Sequence, residues 1–402
     1  MTFKRSPNLE HLKSSETVAI STEAKRRKAA GENVLDLGVG EPDFDTPAPA
    51  SEAGIAAIRA GKTRYAPNVG ISELRQAMAK ALSQMSGGRA VDPERLIVSN
   101  GSKQSLFNTC FTLFGPGDKV LIPSPAWVSY PQIVHLTRAE PVMVPGSPEW
   151  GLKVSVADLE QHRDEHTRGL ILCTPCNPTG AVYTRVELAA IAKWAVAHDI
   201  WIICDEIYRR IHYGAGPAPS LFDLGDEVLD HAVVIYGASK AYAMTGWRIG
   251  AAYAPAEVTK AMAAMQSHTT TGANQPAMWA AATAFSDPAV DAEVEKMVAA
   301  FRRRRDYLVA RFHDQASGVE FIEPHGAFYV FFRVDGIAPG LTGSSFCERI
   351  MKEEGVALVP GGAFGDDRWV RLSFAVSDAE LEDATDRLMA FISRLSGKLA
   401  VV

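Results

Sequence analysis

The chain has 402 residues, of which 47% are hydrophobic and 22% are charged, and it carries a formal net charge of -6. That length exceeds one ordinary domain, and the composition is typical of a soluble globular protein with a large core. The negative net charge argues against a nucleic-acid partner. The lack of a signal-peptide core, and of any run of about eighteen apolar residues, predicts a cytoplasmic protein with no membrane partner.

Five cysteines are scattered along the chain, an odd number that does not make a disulfide framework. Cys173 and Cys176 have the CxxC spacing of metal and redox sites. No second pair accompanies them, and a proline lies between them. We therefore predict neither a metal site nor a redox pair here.

The first predicted elements are a polar helix over Glu23–Ala30 and a short strand over Val34–Leu37. A turn beginning at Gly38 closes the strand and contains a G-x-G pattern. The pattern does not match a dinucleotide-binding loop, because the third glycine is missing and Pro42 follows. On the residues alone, Gly40 marks a tight turn.

A loop rich in proline and glycine follows at residues 63–70 and contains Tyr65. Taken alone, a single tyrosine in a loop is usually a packing residue. After the loop, apolar residues recur at helical spacing and predict a helix over residues 71–85.

Between Leu96 and Ala254 the chain repeats one unit, which is a short apolar strand, a turn, and a helix or loop. This alternation is typical of the α/β fold class, with a mostly parallel sheet covered by helices. The predicted strands are Leu96–Val98, Lys119–Ile122, Leu170–Leu172, Ile200–Cys204 and Ala232–Tyr236. A capping box from Thr184 to Glu187 predicts the start of a crossover helix.

Polar, aromatic and glycine residues follow the end of every predicted strand. They are Gly101, Ser102, Lys103, Trp127, Asn177, Asp205, Tyr208 and Lys240. Ligands of open α/β sheets bind beyond the carboxyl ends of the strands. We therefore expect these residues to converge on one site.

Lys240, together with Arg248, indicates pyridoxal phosphate. Lys240 is an amine nucleophile that can form a Schiff base, and Arg248, eight residues later, can hold a phosphate bidentately. The predicted helix that starts near Gly101, Ser102 and Lys103 offers free backbone N–H groups to the same phosphate.

The remaining residues suit the ring of that cofactor. Trp127 offers an aromatic face, and Asp205 would keep the pyridine nitrogen protonated. Tyr208 and Asn177 would hydrogen-bond the phenolic oxygen. Taken singly, Asp205 could instead cap a helix and Trp127 could be a core residue.

The last part of the chain predicts a second, smaller α/β unit. A long helix over about Pro288–Phe312 carries the basic run Arg302–Arg305, which we interpret as a solvated helix face rather than a binding patch. Strands follow near residues 326–332 and 356–359. The strand Trp369–Phe374 carries Arg371 among apolar neighbours, where a structural salt bridge is one explanation.

The segment Ser-Lys-Ala-Tyr-Ala-Met-Thr-Gly-Trp-Arg-Ile-Gly, residues 239–250, resembles the cofactor-lysine signature of class I aminotransferases, within the fold-type I pyridoxal-phosphate enzymes. The motifs Asn-Pro-Thr-Gly at 177–180 and Asp-Glu-Ile-Tyr at 205–208 also match. The similarity runs from Leu12 to Phe391, and bacterial aspartate aminotransferases are the most similar subgroup. It implies a large cofactor-binding domain at residues 46–290 and a small domain made of residues 1–45 and 291–402.

The resemblance also implies roles for four further positions. Gly40 would lie beside the substrate carboxylate, and Arg371 would bind the α-carboxylate. Tyr65 would contact the cofactor phosphate of the neighbouring subunit, which implies a homodimer with shared active sites. Lys103 would take the second carboxylate of aspartate or glutamate, with the cofactor phosphate as its alternative anion. Gly237 departs from the pattern, because many relatives have a phosphate-binding serine there.

The activity that the resemblance implies is transfer of the amino group of an acidic L-amino acid, aspartate preferred, to 2-oxoglutarate by a ping-pong mechanism. Lys240 would hold the cofactor and move the proton. Transamination of aromatic amino acids or prephenate, and β-elimination from cysteine-type substrates, remain alternatives. A non-enzymatic regulatory protein would need a DNA-binding segment, and we identify none before Leu12.

Overall fold

The computed structural model describes residues 3–13 and 16–397. Within that part the chain forms thirteen helices of the α type and thirteen strands. The helices are α1 Glu16–Ala29, α2 Ala48–Arg59, α3 Ser72–Met85, α4 Ser102–Leu113, α5 Ser129–Leu136, α6 Val156–His162, α7 Arg185–Ala197, α8 Asp226–Leu229, α9 Ala256–Ser267, α10 Gln275–Ala284, α11 Pro288–Gln315, α12 Gly343–Glu353 and α13 Asp378–Leu395. The strands are β1 Leu35–Asp36, β2 Leu96–Asn100, β3 Lys119–Ser124, β4 Glu140–Pro145, β5 Thr167–Cys173, β6 Trp201–Asp205, β7 Ala232–Gly237, β8 Ile249–Tyr253, β9 Phe321–Ile322, β10 Tyr329–Arg333, β11 Val356–Ala357, β12 Val359–Pro360 and β13 Trp369–Ser373.

A seven-stranded sheet in the order β2-β8-β7-β6-β5-β3-β4 forms the centre of the larger part. Strands β7, β6, β5, β3 and β4 are parallel, and β8 is antiparallel to both of its neighbours. Because β2 is antiparallel to β8, it runs in the same direction as β7. The predicted mostly parallel sheet is confirmed, and the six strands other than β8 end at one edge.

The central strands form because their apolar residues are buried on both faces, as helices on both sides of a parallel sheet require. All six residues of β7 are buried, and so are β6 residues Ile202–Asp205. The predicted capping box is confirmed: Thr184 accepts a hydrogen bond from the backbone of Glu187, and the Glu187 carboxylate accepts one from the backbone of Thr184.

The C-terminal part is built on a four-stranded antiparallel sheet in the order β12-β13-β10-β9, and β1 pairs in parallel with β11. Helix α11 packs with both sheets. Val290 and Val294 belong to the core of the larger sheet, and Phe301 and Phe312 belong to the core beside β10. The division into domains at residues 45/46 and 290/291 stays a prediction.

Helix α1 begins earlier than the polar pattern predicts, at Glu16 rather than Glu23. Ala24 is buried against Val34 and Ala357, and Ile20 packs on the same cluster. Tertiary packing therefore extends a helix whose first turns contain β-branched residues of modest helix propensity.

The prediction of a solvated face for Arg302–Arg305 is wrong for Arg304. Its side chain is 8% exposed, and its guanidinium donates to Asp43 at 2.8 Å and to Asp378 at 2.6 Å. Arg304 lies three residues after Phe301 and four before Leu308, so it shares their buried helix face. In residues 3–13 and 16–397, no helix is long and apolar enough to cross a membrane.

Candidate active site

A pocket of about 450 Å³ opens at the sheet edge where the predicted residues were expected to meet. Ten of the twelve predicted site residues line it, and Gly101 and Tyr65 do not. The ten are Gly40, Ser102, Lys103, Trp127, Asn177, Asp205, Tyr208, Lys240, Arg248 and Arg371. The carboxyl ends of β2, β3, β5, β6 and β7, which are spread over about a third of the chain, therefore converge, as parallel strand direction requires.

Lys240 lies in the loop after β7, with its side chain inside the pocket. Its Nζ donates a hydrogen bond to the carbonyl oxygen of Gly40 at 2.5 Å. Burial lowers the pKa of Lys240 to about 8, although Glu41 opposes this shift. The amine therefore reaches its neutral, nucleophilic form closer to neutral pH than an exposed lysine does.

Helix α4 begins at Ser102, with Gly101 as its N-cap, and the Arg248 guanidinium lies beside Gly101 at this N-terminus. Gly101 has φ +84°, and a Cβ there would overlap the guanidinium of Arg248. Arg248 itself has φ +57° and donates to the carbonyl oxygen of Thr245 at 2.9 Å. This glycine cradle with a guanidinium and a helix N-terminus suits a phosphate group.

Gly237, the position that departs from the aminotransferase pattern, lies against Ser102. A Cβ on Gly237 would come within 2.7 Å of Ser102 Oγ. The Ser102 hydroxyl donates to the carbonyl oxygen of Tyr236 at 3.1 Å. Ser102 therefore occupies the space into which a side chain at position 237 would extend.

Asp205 ends β6 and is buried, with 4% of its surface exposed. Its carboxylate accepts hydrogen bonds from the Tyr130 hydroxyl at 2.8 Å and from the backbone N–H of Ile207 at 3.2 Å. Burial raises the pKa of Asp205 to about 6, and these hydrogen bonds and Lys240 limit the rise. A buried carboxylate in this state favours a cationic partner, such as a protonated ring nitrogen.

Arg371 lies on β13 with 2% of its surface exposed. It donates to the carbonyl oxygen of Gly38 at 2.6 Å and to Asn177 Oδ1 at 3.0 Å, and its guanidinium lies 4.5 Å from the centroid of the Tyr329 ring. Its Nε is buried without a hydrogen-bond partner. An incomplete donor set on a buried cation suits a carboxylate ligand.

Tyr208 and Tyr329 share a hydrogen bond between their hydroxyl groups, with the oxygens 2.8 Å apart. The Tyr208 ring also lies beside Lys240, whose Nζ is 6.0 Å from the ring centroid. The Tyr208 hydroxyl is therefore held near both the lysine and the arginine of the pocket.

Lys103 is on an exposed position of the first turn of α4, and its Nζ lies 4.9 Å from the centroid of the Trp127 ring. Partial burial lowers the pKa of Lys103, and the positive charge of the nearby Arg248 lowers it further. No ion pair holds Lys103 within the described part of the chain. Its charge is thus available to an anion in the pocket.

Tyr65 lies outside the pocket of its own chain, and 92% of its surface is exposed. Ile58 on α2 and Phe111 on α4 are also exposed, at 58% and 51%.

Residues 32–388 match the family model for aminotransferase class I and II. The chain belongs to this family. It is 42% identical over 393 residues to the bifunctional aspartate aminotransferase and glutamate/aspartate-prephenate aminotransferase of Petunia hybrida, covering 95% of this chain and 81% of that protein. It is 40% identical to the aspartate/prephenate aminotransferase of Thermus thermophilus, covering 97% and 99%. The solved structure of the Thermus thermophilus aspartate aminotransferase with maleate superposes with a TM-score of 0.91 at 39% identity, covering 97% of this chain and 100% of that one.

The chain is thus a pyridoxal-phosphate-dependent aminotransferase of the fold-type I architecture. The geometry and the pKa shifts of the pocket residues also fit that cofactor, independently of the family match. The cradle between Gly101 and Arg248 suits the phosphate, the buried Asp205 suits the ring nitrogen, and Lys240 is an amine of lowered pKa.

Several pocket residues of this aminotransferase were not predicted from the sequence. Tyr130 and Tyr329 orient Asp205 and Tyr208, and Glu41 accepts a hydrogen bond from Thr245 at 2.9 Å. Polar residues of α1 also line the pocket: Thr17, Ser21, Thr22 and Lys25. Their spacing over two helical turns was a usable signal, since it places them on one face of α1.

Proposed function

We propose that this aminotransferase takes the amino group of an acidic L-amino acid, with aspartate preferred, and passes it to 2-oxoglutarate by a ping-pong mechanism. The observation that carries this proposal is the pair Arg371 and Lys103, two cations that line one pocket. Arg371 has a free buried donor, and Lys103 has no carboxylate partner in the described chain. Aspartate and 2-oxoglutarate each bring two carboxylates, which match this charge arrangement.

The bound cofactor would supply an electron sink for the negative charge that develops on the substrate α-carbon. Arg248 and the N-terminus of α4 at Gly101 and Ser102 would hold its phosphate. Asp205 would pair with the ring nitrogen. Tyr208 and Asn177 would donate to the phenolic oxygen, and Trp127 would cover one face of the ring.

Lys240 would act twice, first as the amine that holds the cofactor and then as the base that moves the proton from the substrate α-carbon. A lysine with a pKa of about 8 suits the second task, because a useful fraction is neutral near pH 7.5. The hydrogen bond from Lys240 to the Gly40 carbonyl supports a fixed position for this amine. Gly40 would in turn lie beside the substrate carboxylate.

The site would be shared in a homodimer. The 92% exposure of Tyr65 supports a subunit interface that includes its loop. Tyr65 would then contact the cofactor phosphate bound by the partner subunit. A second subunit would complete the phosphate site that Gly101, Ser102 and Arg248 begin.

A panel of amino donors with 2-oxoglutarate as the acceptor tests the proposal. We expect the largest kcat/KM for aspartate, and parallel lines in double-reciprocal plots at several fixed acceptor concentrations. A monocarboxylic donor preferred over aspartate would refute the assignment of Lys103 and Arg371 to two carboxylates.

Prephenate is a second candidate acceptor. The relatives from Petunia hybrida and Thermus thermophilus both carry prephenate in their names. Prephenate also carries a second carboxylate, and the indole face of Trp127 beside Lys103 suits its ring. Direct comparison of prephenate with phenylpyruvate, aspartate being the donor, tests this candidate. Equal kcat/KM values for the two acceptors would exclude a dedicated prephenate activity.

A further inference from the structure

One backbone turn contacts two basic side chains of the pocket, Arg371 and Lys240. The carbonyl oxygen of Gly38 accepts a hydrogen bond from Arg371 Nη2 at 2.6 Å, and that of Gly40 accepts one from Lys240 Nζ at 2.5 Å. A displacement of this turn therefore changes the positions of Arg371 and Lys240 together.

Asp36, the last residue of β1, holds that turn through its side chain. Its Oδ1 accepts a hydrogen bond from the backbone N–H of Gly38 at 3.0 Å, the local bond of an Asx-turn. Its Oδ2 accepts a hydrogen bond from the Ser21 hydroxyl of α1 at 3.1 Å. One carboxylate thus joins the turn to the helix that lines the pocket entrance.

The space around Gly38 leaves the turn little freedom. A Cβ on Gly38 would lie 3.3 Å from Asp36 Oδ1, 3.4 Å from Val359 Cγ2 and 3.6 Å from Ile20 Cγ2. These neighbours belong to β1, β12 and α1. The turn is therefore enclosed on three sides, and the Asp36 carboxylate is the polar member of that enclosure.

The negative charge of Asp36 favours a cationic Arg371, in addition to the hydrogen bonds by which Asp36 holds the turn. Burial lowers the pKa of Arg371, and the charge of Asp36 opposes that shift. Burial raises the pKa of Asp36, while the Gly38 N–H, the Ser21 hydroxyl and the ammonium groups of Lys25 and Lys28 oppose the rise.

We propose that Asp36 is a positioning residue for the substrate carboxylate, because it fixes the turn at Gly38 and Gly40 and ties helix α1 to that turn. Asp36 does not line the pocket, so it acts through Arg371 rather than on the substrate. The inference rests on the proposed role of Arg371 as the carboxylate ligand.

The test compares Asp36→Ala and Asp36→Asn in the holoenzyme. We expect Asp36→Ala to raise the KM for aspartate by about tenfold, with a smaller change in kcat, because a displaced guanidinium weakens binding before chemistry. The dissociation constant of succinate, an unreactive dicarboxylate measured by titration calorimetry, should rise by a similar factor. Asp36→Asn should remain within about threefold of the wild type, because its amide oxygen can still accept from Gly38 and its NH2 can donate to Ser21.

Hydrogen exchange gives a readout that does not depend on turnover. Amides of α1 should exchange faster in Asp36→Ala and in Ser21→Ala than in the wild type, while those of α7 should not change. Asp92→Ala is the matched control, since Asp92 Oδ1 accepts from the backbone of Glu94 at 2.9 Å in the same local pattern, outside the pocket.

Two results would overturn the inference. The first is an unchanged succinate affinity in Asp36→Ala while Arg371→Ala loses binding. The second is an Asp36→Asn variant as impaired as Asp36→Ala, since the hydrogen bonds would then not carry the effect. Retained succinate affinity in Arg371→Ala would instead refute the assigned role of Arg371, and the inference would fail with it.

Discussion

Removal of the Lys103 ammonium group should separate the binding of the second carboxylate from all other steps. Lys103→Met is the most informative change, because it keeps most of the aliphatic length of the side chain while it removes the Nζ that lies over the Trp127 ring. In its proposed role Arg371 would bind every α-carboxylate alike, so its contribution would be the same for aspartate and for phenylalanine. The ratio of the two specificity constants therefore isolates Lys103.

The magnitude follows from the surroundings of Lys103. A hydrogen bond to a charged group contributes about 1.5–3 kcal/mol. Lys103 occupies an exposed position, so water screens the contact and the lower part of that range applies. A loss of about 1.5–2 kcal/mol corresponds to a decrease of about ten- to thirtyfold in kcat/KM for aspartate.

The assay measures kcat/KM for aspartate and phenylalanine with 2-oxoglutarate held saturating, and the cofactor dissociation constant is measured in parallel. Lys103→Arg should retain most of the preference, and Lys193→Met on α7 serves as a control outside the pocket. Equal losses for both donors, together with weaker cofactor binding, would refute the reasoning. Lys103 would then belong to the phosphate, which is the alternative that its place beside Gly101 and Ser102 leaves open.

Three further predictions concern the lysine, the subunit interface and the buried acid. Lys240→Ala should lose transamination but still bind the cofactor through its phosphate and ring contacts. The absorbance band of the lysine-linked cofactor should vanish. Turnover within about tenfold of the wild type, a difference of only about 1.4 kcal/mol in the activation barrier, would contradict the assignment. Mixing inactive Lys240→Ala with an inactive Tyr65→Phe variant should restore activity in heterodimers, and titrated mixtures that exchange subunits without recovery would exclude a shared site. In the cofactor-free protein, burial raises the pKa of Asp205 to about 6. Because this value exceeds the unfolded value of about 3.9, the free energy of unfolding should fall by about 2 kcal/mol between pH 4 and pH 6 relative to Asp205→Asn, as denaturant titrations at each pH would measure.

The convergence of the site was predictable because it depends on strand direction and apolar runs. Asp205 and Lys240 directly follow continuous apolar segments, and neighbouring parallel strands bring their carboxyl ends together. Arg248 directly precedes β8, and because β8 is antiparallel to β7 it begins at the edge where β7 ends. The direction of β8 cannot be read from the apolar pattern. Only the spacing between Lys240 and Arg248 indicated that Arg248 belongs to the site.

Side-chain partners across the fold could not be predicted from periodicity. Tyr329 meets Tyr208 across 121 residues of sequence, and Arg304 meets Asp43 across 261. Each pairing needs the packing of the smaller sheet on α11, which a local pattern does not contain. The basic run around Arg304 therefore suggested solvent exposure, although one of its members is a buried ion-pair partner.

The close approach of Gly237 to Ser102 restricts the order in which this family can exchange residues at its phosphate site. A serine introduced at 237 while Ser102 remains would place its Cβ 2.7 Å from the Ser102 hydroxyl, and overpacking of this kind typically costs about 1–3 kcal/mol. The substitution Ser102→Gly would remove the contact with the hydroxyl, although a Cβ at 237 would still lie 3.0 Å from Gly250 Cα and from the Ile249 carbonyl oxygen. It would also leave the site without that hydroxyl donor. A lineage that moves the hydroxyl from α4 to β7 must therefore pass through an intermediate with serine at both positions, which is overpacked, or with glycine at both, which lacks the hydroxyl. The intermediate with glycine at both positions remains functional only if Arg248 and the backbone N–H groups of α4 bind the phosphate without the hydroxyl.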